Sequence, residues 1–346
     1  MKRIKYGKIA VVLALLAALY LMPLFVTNQY VLRVAVYVCI YSTLACSLNL
    51  ISGVCGQVSR GHAAFYGIGA YASGLVAINF GVPWVICVLA AALAAGIIGV
   101  LIGIPALKLS GGYLVICTVG FGELVRLILL NWVSLTRGPM GLVNIPRPVL
   151  FGVKIKTGGQ YMWVALTLFF LVYLILHNIL NSKFGRNLKA IREDEVAAEA
   201  MGINLAKHKR MAFCISSFFA GVGGGLFAMF ANQAQAKTFT TSMTYEILLI
   251  VVIGGIGSIS GSCIASFLYV AASEWWLRFL DTETYIGAFK VPFLRTGFRM
   301  VVFSIIIMIV VLFFRRGLMG DRELSDVARS LRARLSGKSK KKEAAK

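Results

Sequence analysis

The sequence predicts an all-α, polytopic membrane protein of about ten transmembrane spans, some of them broken, with both termini on the cytoplasmic side. Three observations carry this. Hydrophobic residues fill 59% of the 346 positions, against roughly 45–50% in a soluble domain. Charged residues fill only 14%, where about 25% is usual. The basic residues are clustered: residues 2–8 hold four, 182–210 hold seven and 315–346 hold eleven, together 22 of the 35. Each cluster flanks an apolar run, and cytoplasmic loops of membrane proteins carry such an excess of Lys and Arg.

The elements follow in chain order. The basic start and the run 9–26 have the outline of a signal peptide. No small-residue cleavage site accompanies Pro23-Leu24-Phe25, so an uncleaved first span is expected. Further apolar runs occupy 31–51, 62–80, 84–107, 112–133, 161–181, 211–230, 244–257, 260–277 and 297–314. At about 20 residues per crossing, these are ten spans. With residues 2–8 inside, ten spans also place 182–210 and 315–346 inside; an odd number would put one cluster outside. The segment 134–160 then lies outside, although it carries Arg137, Arg147, Lys154 and Lys156 and no acid. Its Gly138-Pro139-Met140-Gly141 and Pro146-Arg147-Pro148 stretches mark turns. The chain thus divides into a transmembrane domain, 1–314, with a cytoplasmic loop at 182–210 and an external loop at 134–160, and a basic cytoplasmic tail, 315–346. Within the tail, 321–335 suits a surface helix and the stretch beyond Gly337 suits disorder. The tail is also basic enough to meet anionic lipid.

Two polar, glycine-rich stretches interrupt the apolar runs: 52–61 and 254–262. Broken helices in corresponding halves point to a transport pathway, because the freed backbone groups need protein or water partners. Glycines there also serve close helix packing. The likeness between the two stretches is loose, so an internal repeat stays open.

Several chemistries are excluded. A net charge of +22 can signal nucleic-acid binding, but here the charge sits beside spans and encodes orientation. The seven cysteines lie in or beside apolar runs without a C-x-x-C pair, so they read as small membrane-core side chains. His62, His177 and His208 are too far apart in sequence to suggest a metal site. Gly337-Lys338-Ser339 matches only the end of a phosphate-binding loop, whose first glycine would fall at Arg332. The stretch 255–259 is not a nucleophile elbow. An enzyme, a cofactor and a resident ATP site are therefore not expected.

The loop 182–210 is the most informative stretch. Asn187 suits a helix N-cap, and 188–200 are strong helix formers. Gly202 suits the left-handed residue that ends a helix. Asn204 suits the cap of a second helix that re-enters the membrane through Met211. Small Ala197, Ala198 and Ala200 let another surface approach. Glu193, Asp194, Glu195 and Glu199 can pair with basic groups on a partner.

In Ala197-Ala198-x-x-x-Gly202 this loop resembles the EAA loop of ABC importer permeases, in the form found in LivM-type branched-chain amino-acid permeases. Ala190-Ile191-Arg192-Glu193-Asp194-Glu195 and Gly202-Ile203-Asn204 resemble the same family. So do Leu48-Asn49-Leu50, Gly56-Gln57-x-Ser59-x-Gly61-His62 running on through Tyr71, Phe121-Gly122-Glu123 with Arg126, and Asn131-Trp132. Gly138-Pro139-Met140-Gly141, Gly254-Gly255-Ile256-Gly257-Ser258 and Arg315-Arg316-Gly317-Leu318 complete the series. The general consensus has Glu where this chain has Val196, with Glu195 one place earlier.

The resemblance implies a permease of the bacterial inner membrane that hydrolyses nothing itself. It would work with a second permease subunit, two ATP-binding cassette subunits and an extracytoplasmic substrate-binding protein, and would carry leucine, isoleucine or valine through the lipid bilayer. Glu195, Ala197, Ala198, Glu199 and Gly202 would couple it to the ATPases. The basic segment 134–160 would be part of the binding protein's docking face.

The pathway residues are read from their surroundings. Glu123 and Arg126 share a helical face, as a structural ion pair or as part of the path. Gln57, Ser59 and His62 border the first break and either line the path or bond freed backbone. Glu246 and Glu274 lie nearer span ends and are expected as solvated anchors. Rival readings are a permease for another small solute such as another amino acid or urea, an ion-coupled secondary carrier, and a membrane-embedded enzyme.

Overall fold

The computed structural model describes residues 28–276 except 108, 110, 151, 152 and 156, together with 20–23, 26, 285–286, 289–290, 305, 308 and 317–320. The expected spans 9–26 and 297–314, the basic start and the tail beyond residue 320 fall largely or wholly outside the described residues.

Among the described residues six helices are long and apolar enough to cross a bilayer. Helix α1 (Gln29–Asn49) starts where the Asn28 side chain accepts the Tyr30 N–H at 2.9 Å. It continues as a π-turn, Leu50–Val54. The 26 residues of Gln29–Val54 rise about 39 Å, more than the roughly 30 Å of hydrocarbon. Helices α2 (His62–Phe80), α3 (Trp84–Ala106) and α4 (Gly112–Asn131) follow. Helix α5 (Gly158–Asn181) opens on a capping box between Thr157 and Gln160. The loop contributes α6 (Lys183–Glu193) and α7 (Glu195–Ala200), and α8 (Leu205–Ala231) returns through the membrane.

Helices α1, α2 and α8 make the centre; their most apolar windows are 78%, 67% and 72% buried, against 22% for α4. Leu, Ile and Val on α3 and α4 are exposed (Leu101, Ile97, Ile116, Leu124), as a lipid- or subunit-facing surface requires. Helix α8 approaches α3 closely because Gly221 has no side chain: a Cβ there would lie 2.6 Å from the Ala91 carbonyl oxygen. Dispersion at such backbone approach, rather than hydrophobic transfer, holds helices together in lipid.

The runs 244–257 and 260–277, read from the sequence as two separate spans, are a different object. Helix α9 (Thr241–Gly254) has 14 residues and α10 (Ile259–Ala271) has 13, the latter followed by a second π-turn, Ala272–Trp276. At 1.5 Å per residue each is roughly 20 Å long, too short to cross alone. The two meet at 119° across 255–258, as a broken span or a re-entrant loop. Gly255 takes φ +115° at the corner.

The segment 134–160 forms turns, as its Gly and Pro content predicts, but it is not loose. A single helical turn, Val133–Thr136, leads to β1 (Leu142–Val143), then β2 (Val149–Leu150) and β3 (Val153–Lys154), which pair with each other. Strand β1 pairs antiparallel with β4 (Gln233–Ala234), just past α8, and Ile145 N–H donates to Asn232 O at 3.2 Å. Leu142, Ile145 and Ile155 are buried. This segment therefore caps the end of the bundle opposite α6 and α7.

Replacing Gly221 with valine forces α3 and α8 apart. We expect the melting temperature of the detergent-solubilised protein to fall by several degrees, in line with the roughly 1–3 kcal/mol cost of overpacking. Gly120→Ala, whose Cβ meets nothing within 4 Å, leaves it unchanged or raised.

Candidate functional site

The loop between α5 and α8 is a folded module. Ser182, not Asn187, caps α6: its hydroxyl accepts the Gly185 N–H. Asn187 lies inside α6, and its amide donates to His208 Nε2 at 3.1 Å while Phe184 stacks on the same ring at 5.6 Å. The ring is fixed from the other side by Nδ1, which donates to Asn204 O at 2.8 Å. The expected single helix over 188–200 is broken at Asp194, whose extended backbone and side chain make it an N-cap. Asp194 Oδ1 accepts the N–H groups of Val196 at 2.9 Å and Ala197 at 3.0 Å.

The end of α7 follows the prediction. Gly202 sits at φ +80°. Its N–H donates to Glu199 O at 2.9 Å and Ile203 N–H donates to Ala198 O at 3.1 Å, which is a Schellman ending. Asn204 then caps α8 through the Lys207 N–H. Lys209 Nζ closes the turn on Glu195 Oε2 at 2.7 Å. Outside, Glu199, Ala197 and Ala200 are exposed. Val196 and Met201 are 78% and 82% exposed. Ala198 is only 4% exposed and packs within this chain, on the inner face of α7.

Inward, the module grips the first break. Leu188 and Ile191 are buried, and Arg192 Nη1 donates to Gly53 O in the π-turn at 2.8 Å. The Arg192 stem lies where a Cβ on Gly56 would be, 2.9 Å from its Cγ. A π-turn strands backbone groups that an α-helix would pair, and Arg192 takes up one of them.

The π-turn in turn touches the second break. Asn49, fully buried, donates from Nδ2 to Ser258 O and Ser262 Oγ, each at 2.8 Å. Its Oδ1 accepts Gly257 N–H at 2.9 Å. Two polar groups of the corner and one hydroxyl of α10 are thus held by one side chain. The last carbonyls of α9 are met by the segment 317–320: Leu318 N–H donates to Ile253 O at 2.7 Å and Met319 N–H to Gly254 O at 3.2 Å.

The predicted pathway residues come together in part. His62 Nε2 lies 2.8 Å from Ser47 Oγ, which itself donates to Leu44 O. Gln57 Oε1, Ser59 Oγ and His62 Nδ1 are buried without a hydrogen-bond partner among the described residues, as is Ser52 Oγ. Each such atom costs about 1–3 kcal/mol unless water or a solute meets it. With Arg60 Nε, five such atoms fall within residues 52–62. Arg60 N–H donates to Thr118 Oγ1 at 3.1 Å, and a Cβ on Gly122 would lie 3.6 Å from Gly61 Cα. The break loop therefore packs one residue from Glu123. Arg126 Nε donates to Glu123 Oε2 at 2.6 Å, and Thr241 Oγ1 donates to Glu123 Oε1 at 3.2 Å. This pair lies on the exposed face of α4 beside an open, mostly apolar cavity of about 370 Å³, lined also by Gly120, Leu127 and Asn131. Among the described residues no three His, Cys, Asp or Glu side chains are grouped to hold a metal.

Sequence reasoning gave no role of their own to Asn49 and Arg192. Asn49 carried a signal, being an amide in the middle of an apolar run. Glu246, expected as a solvated anchor, is half-buried and accepts the Tyr41 hydroxyl at 3.3 Å.

Known proteins match this arrangement at the level of sequence. Residues 30–315 match the family described as the permease component of the branched-chain amino acid transport system. The high-affinity branched-chain amino acid transport system permease protein LivM of Escherichia coli K12 is 35% identical over 273 residues, 72% of this chain and 64% of that protein. The LivM protein of Salmonella typhimurium LT2 matches at 35% over the same shares. LivH of the same Salmonella strain is 27% identical over 277 residues, 70% of this chain and 83% of its own. The match spans less than two thirds of the length of the LivM relatives.

Asn49→Leu keeps volume but leaves Gly257 N–H unpaired and removes one of the donors to Ser258 O, which keeps those from Ser262. We expect a loss of about 1–3 kcal/mol, read as a lower melting temperature and as faster trypsin cleavage of the purified protein.

Proposed function

The chain belongs to the family of permease components of branched-chain amino acid transport systems, and we propose from this that it is the membrane-spanning subunit of an ABC importer for leucine, isoleucine and valine. In this reading it sits in a bacterial inner membrane with both termini inside, α9 and α10 folding back as a re-entrant pair so that the number of crossings stays even. It pairs with a second permease, is driven by two separate ATPase subunits and receives cargo from a substrate-binding protein that docks on the 134–160 side.

One observation supports the reading best: the folded loop bears exposed apolar and acidic side chains outward and an arginine bonded to a helix break inward. Outward, Val196, Met201 and Glu199 suit a cleft on an ATPase subunit. Inward, Arg192 holds Gly53 O and Asn49 holds the 255–258 corner. Closure of the ATPases displaces α7. The displacement passes through α6 and Arg192 to the π-turn and through Asn49 to the second break. The permease halves then rock between two access states. Gln57, Ser59, His62, Glu123 and Arg126 are the proposed lining of the path. Glu195 acts here through Lys209, setting the loop rather than meeting the partner.

The test is reconstitution of the complete complex in proteoliposomes with leucine uptake and ATP hydrolysis followed together. Arg192→Ala should keep at least half of the hydrolysis while uptake falls tenfold or more, with Arg192→Lys in between. Equal loss of both activities would argue against a strut role. Gly202→Val, which places a β-branched residue at φ +80°, should leave insertion intact and abolish the stimulation of hydrolysis by loaded binding protein. Unchanged stimulation would count against coupling through this turn. A wild-type complex that carries no branched-chain amino acid would refute the cargo.

A further inference from the structure

A second cavity lies inside the subunit, away from the exposed face of α4. Its volume is about 340 Å³, and Tyr37, Tyr41, Tyr66, Phe227, Met243 and Glu246 line it. That is near the lower end for small-molecule pockets, roughly 300–1,000 Å³. Helix α1 supplies Tyr37 and Tyr41 from one face, four residues apart. Helices α2 and α8 supply Tyr66 and Phe227, whose rings are 5.5 Å apart. Helix α9 supplies Met243 and Glu246. Thr238 and Thr240 complete the lining, and Thr238 is exposed, so the cavity opens at the turn that precedes α9.

Glu246 is the anomaly. It stands in the middle of the apolar helix α9 and is half-buried. Its contacts are phenolic: Tyr41 at 3.3 Å, with Tyr269 as a second donor. Among the described residues no Lys or Arg pairs with it. A carboxylate offers about four acceptor positions, so two phenols leave capacity for a further donor. An acid in a membrane interior faces a partner or a cavity. This one faces a cavity walled in part by the rings of Tyr37, Tyr41, Tyr66 and Phe227, and such rings attract cations.

We propose that this cavity binds the ammonium group of an amino-acid-sized solute, with Glu246 as its counter-ion, the tyrosine rings as its cation-attracting walls, and Met243 and Phe227 against an aliphatic chain. The identification of that solute as the transported amino acid rests on the function proposed above. The ammonium chemistry does not, and the two are tested separately.

The probes are leucine, isopentylamine, which keeps the ammonium and lacks the carboxylate, and 4-methylpentanoate, which keeps the carboxylate and lacks the ammonium. In the reconstituted complex Glu246→Gln should raise the KM for leucine at least about tenfold, as loss of a charged hydrogen-bond partner does. It should also abolish inhibition by isopentylamine, leave any inhibition by 4-methylpentanoate unchanged, and be partly rescued by Glu246→Asp. An unchanged KM with inhibition by the amine retained overturns the site. The wild-type chain gives an independent readout should the variant not insert. Carbodiimide modification of Glu246, followed by mass spectrometry on the full-length protein, should be slowed by isopentylamine and by leucine but not by 4-methylpentanoate. Modification indifferent to the amine, or slowed only by sodium, overturns the proposal. Protection by the amine in a complex that does not carry leucine would keep the site and discard the cargo.

Discussion

The structure depends on one constraint: a helix broken within a membrane must find partners for every backbone group it frees. Water is scarce there, and each unmet N–H or C=O costs several kcal/mol. This chain breaks twice near its centre, and both breaks are paid for locally. Gly53 O is met by Arg192. The corner at 255–258 is met by Asn49. The last carbonyls of α9 are met by residues 318 and 319. The donors come from three distant parts of the sequence, so meeting the breaks is also what joins the 182–210 loop, the first long helix and the segment 317–320.

Much of this was legible in the sequence, and the pattern of misses has physical causes. Long apolar runs gave α2 and α3 almost to the residue, because chain length and hydropathy alone decide a crossing. Helix α8 begins six residues before its apolar run, since Asn204 can start a helix on polar residues once Gly202 has ended the previous one. Gly202 itself was readable because few residues tolerate a left-handed turn. The break at 254–262 was readable from its glycines and serines, but the sharp α9–α10 corner was not: two apolar runs so separated look alike whether they cross the membrane twice or fold back. The choice between Ser182 and Asn187 as a cap was equally hidden, because both side chains can accept from a freed N–H and only packing selects one.

The candidate site was legible by residue type and not by contact. Polar side chains in apolar surroundings marked Gln57, Ser59, His62, Glu123 and Arg126. Their arrangement, with the 57–62 loop against α4 at Thr118 and Gly122, needed the fold. Arg192 hid among seven basic residues of one loop, where charge suggested orientation and nothing distinguished an inward-turned arginine from its solvated neighbours. The inward face of Ala198 was hidden too: a small residue on a short helix reads the same whether it faces outward or its own chain.

The two-residue ladder between β1 and β4 has a mechanical corollary. It stitches the capping segment to the far end of α8, whose near end emerges from the Gly202 turn. A helix of 27 residues is a rod of roughly 40 Å. Tilting such a rod by about 5° about one end sweeps the other through roughly 3 Å, more than a hydrogen bond can stretch. The cap must then either ride with the rod or come unzipped from it, so the geometry of this small clasp registers, at one face of the membrane, the lean of a lever whose handle is at the other.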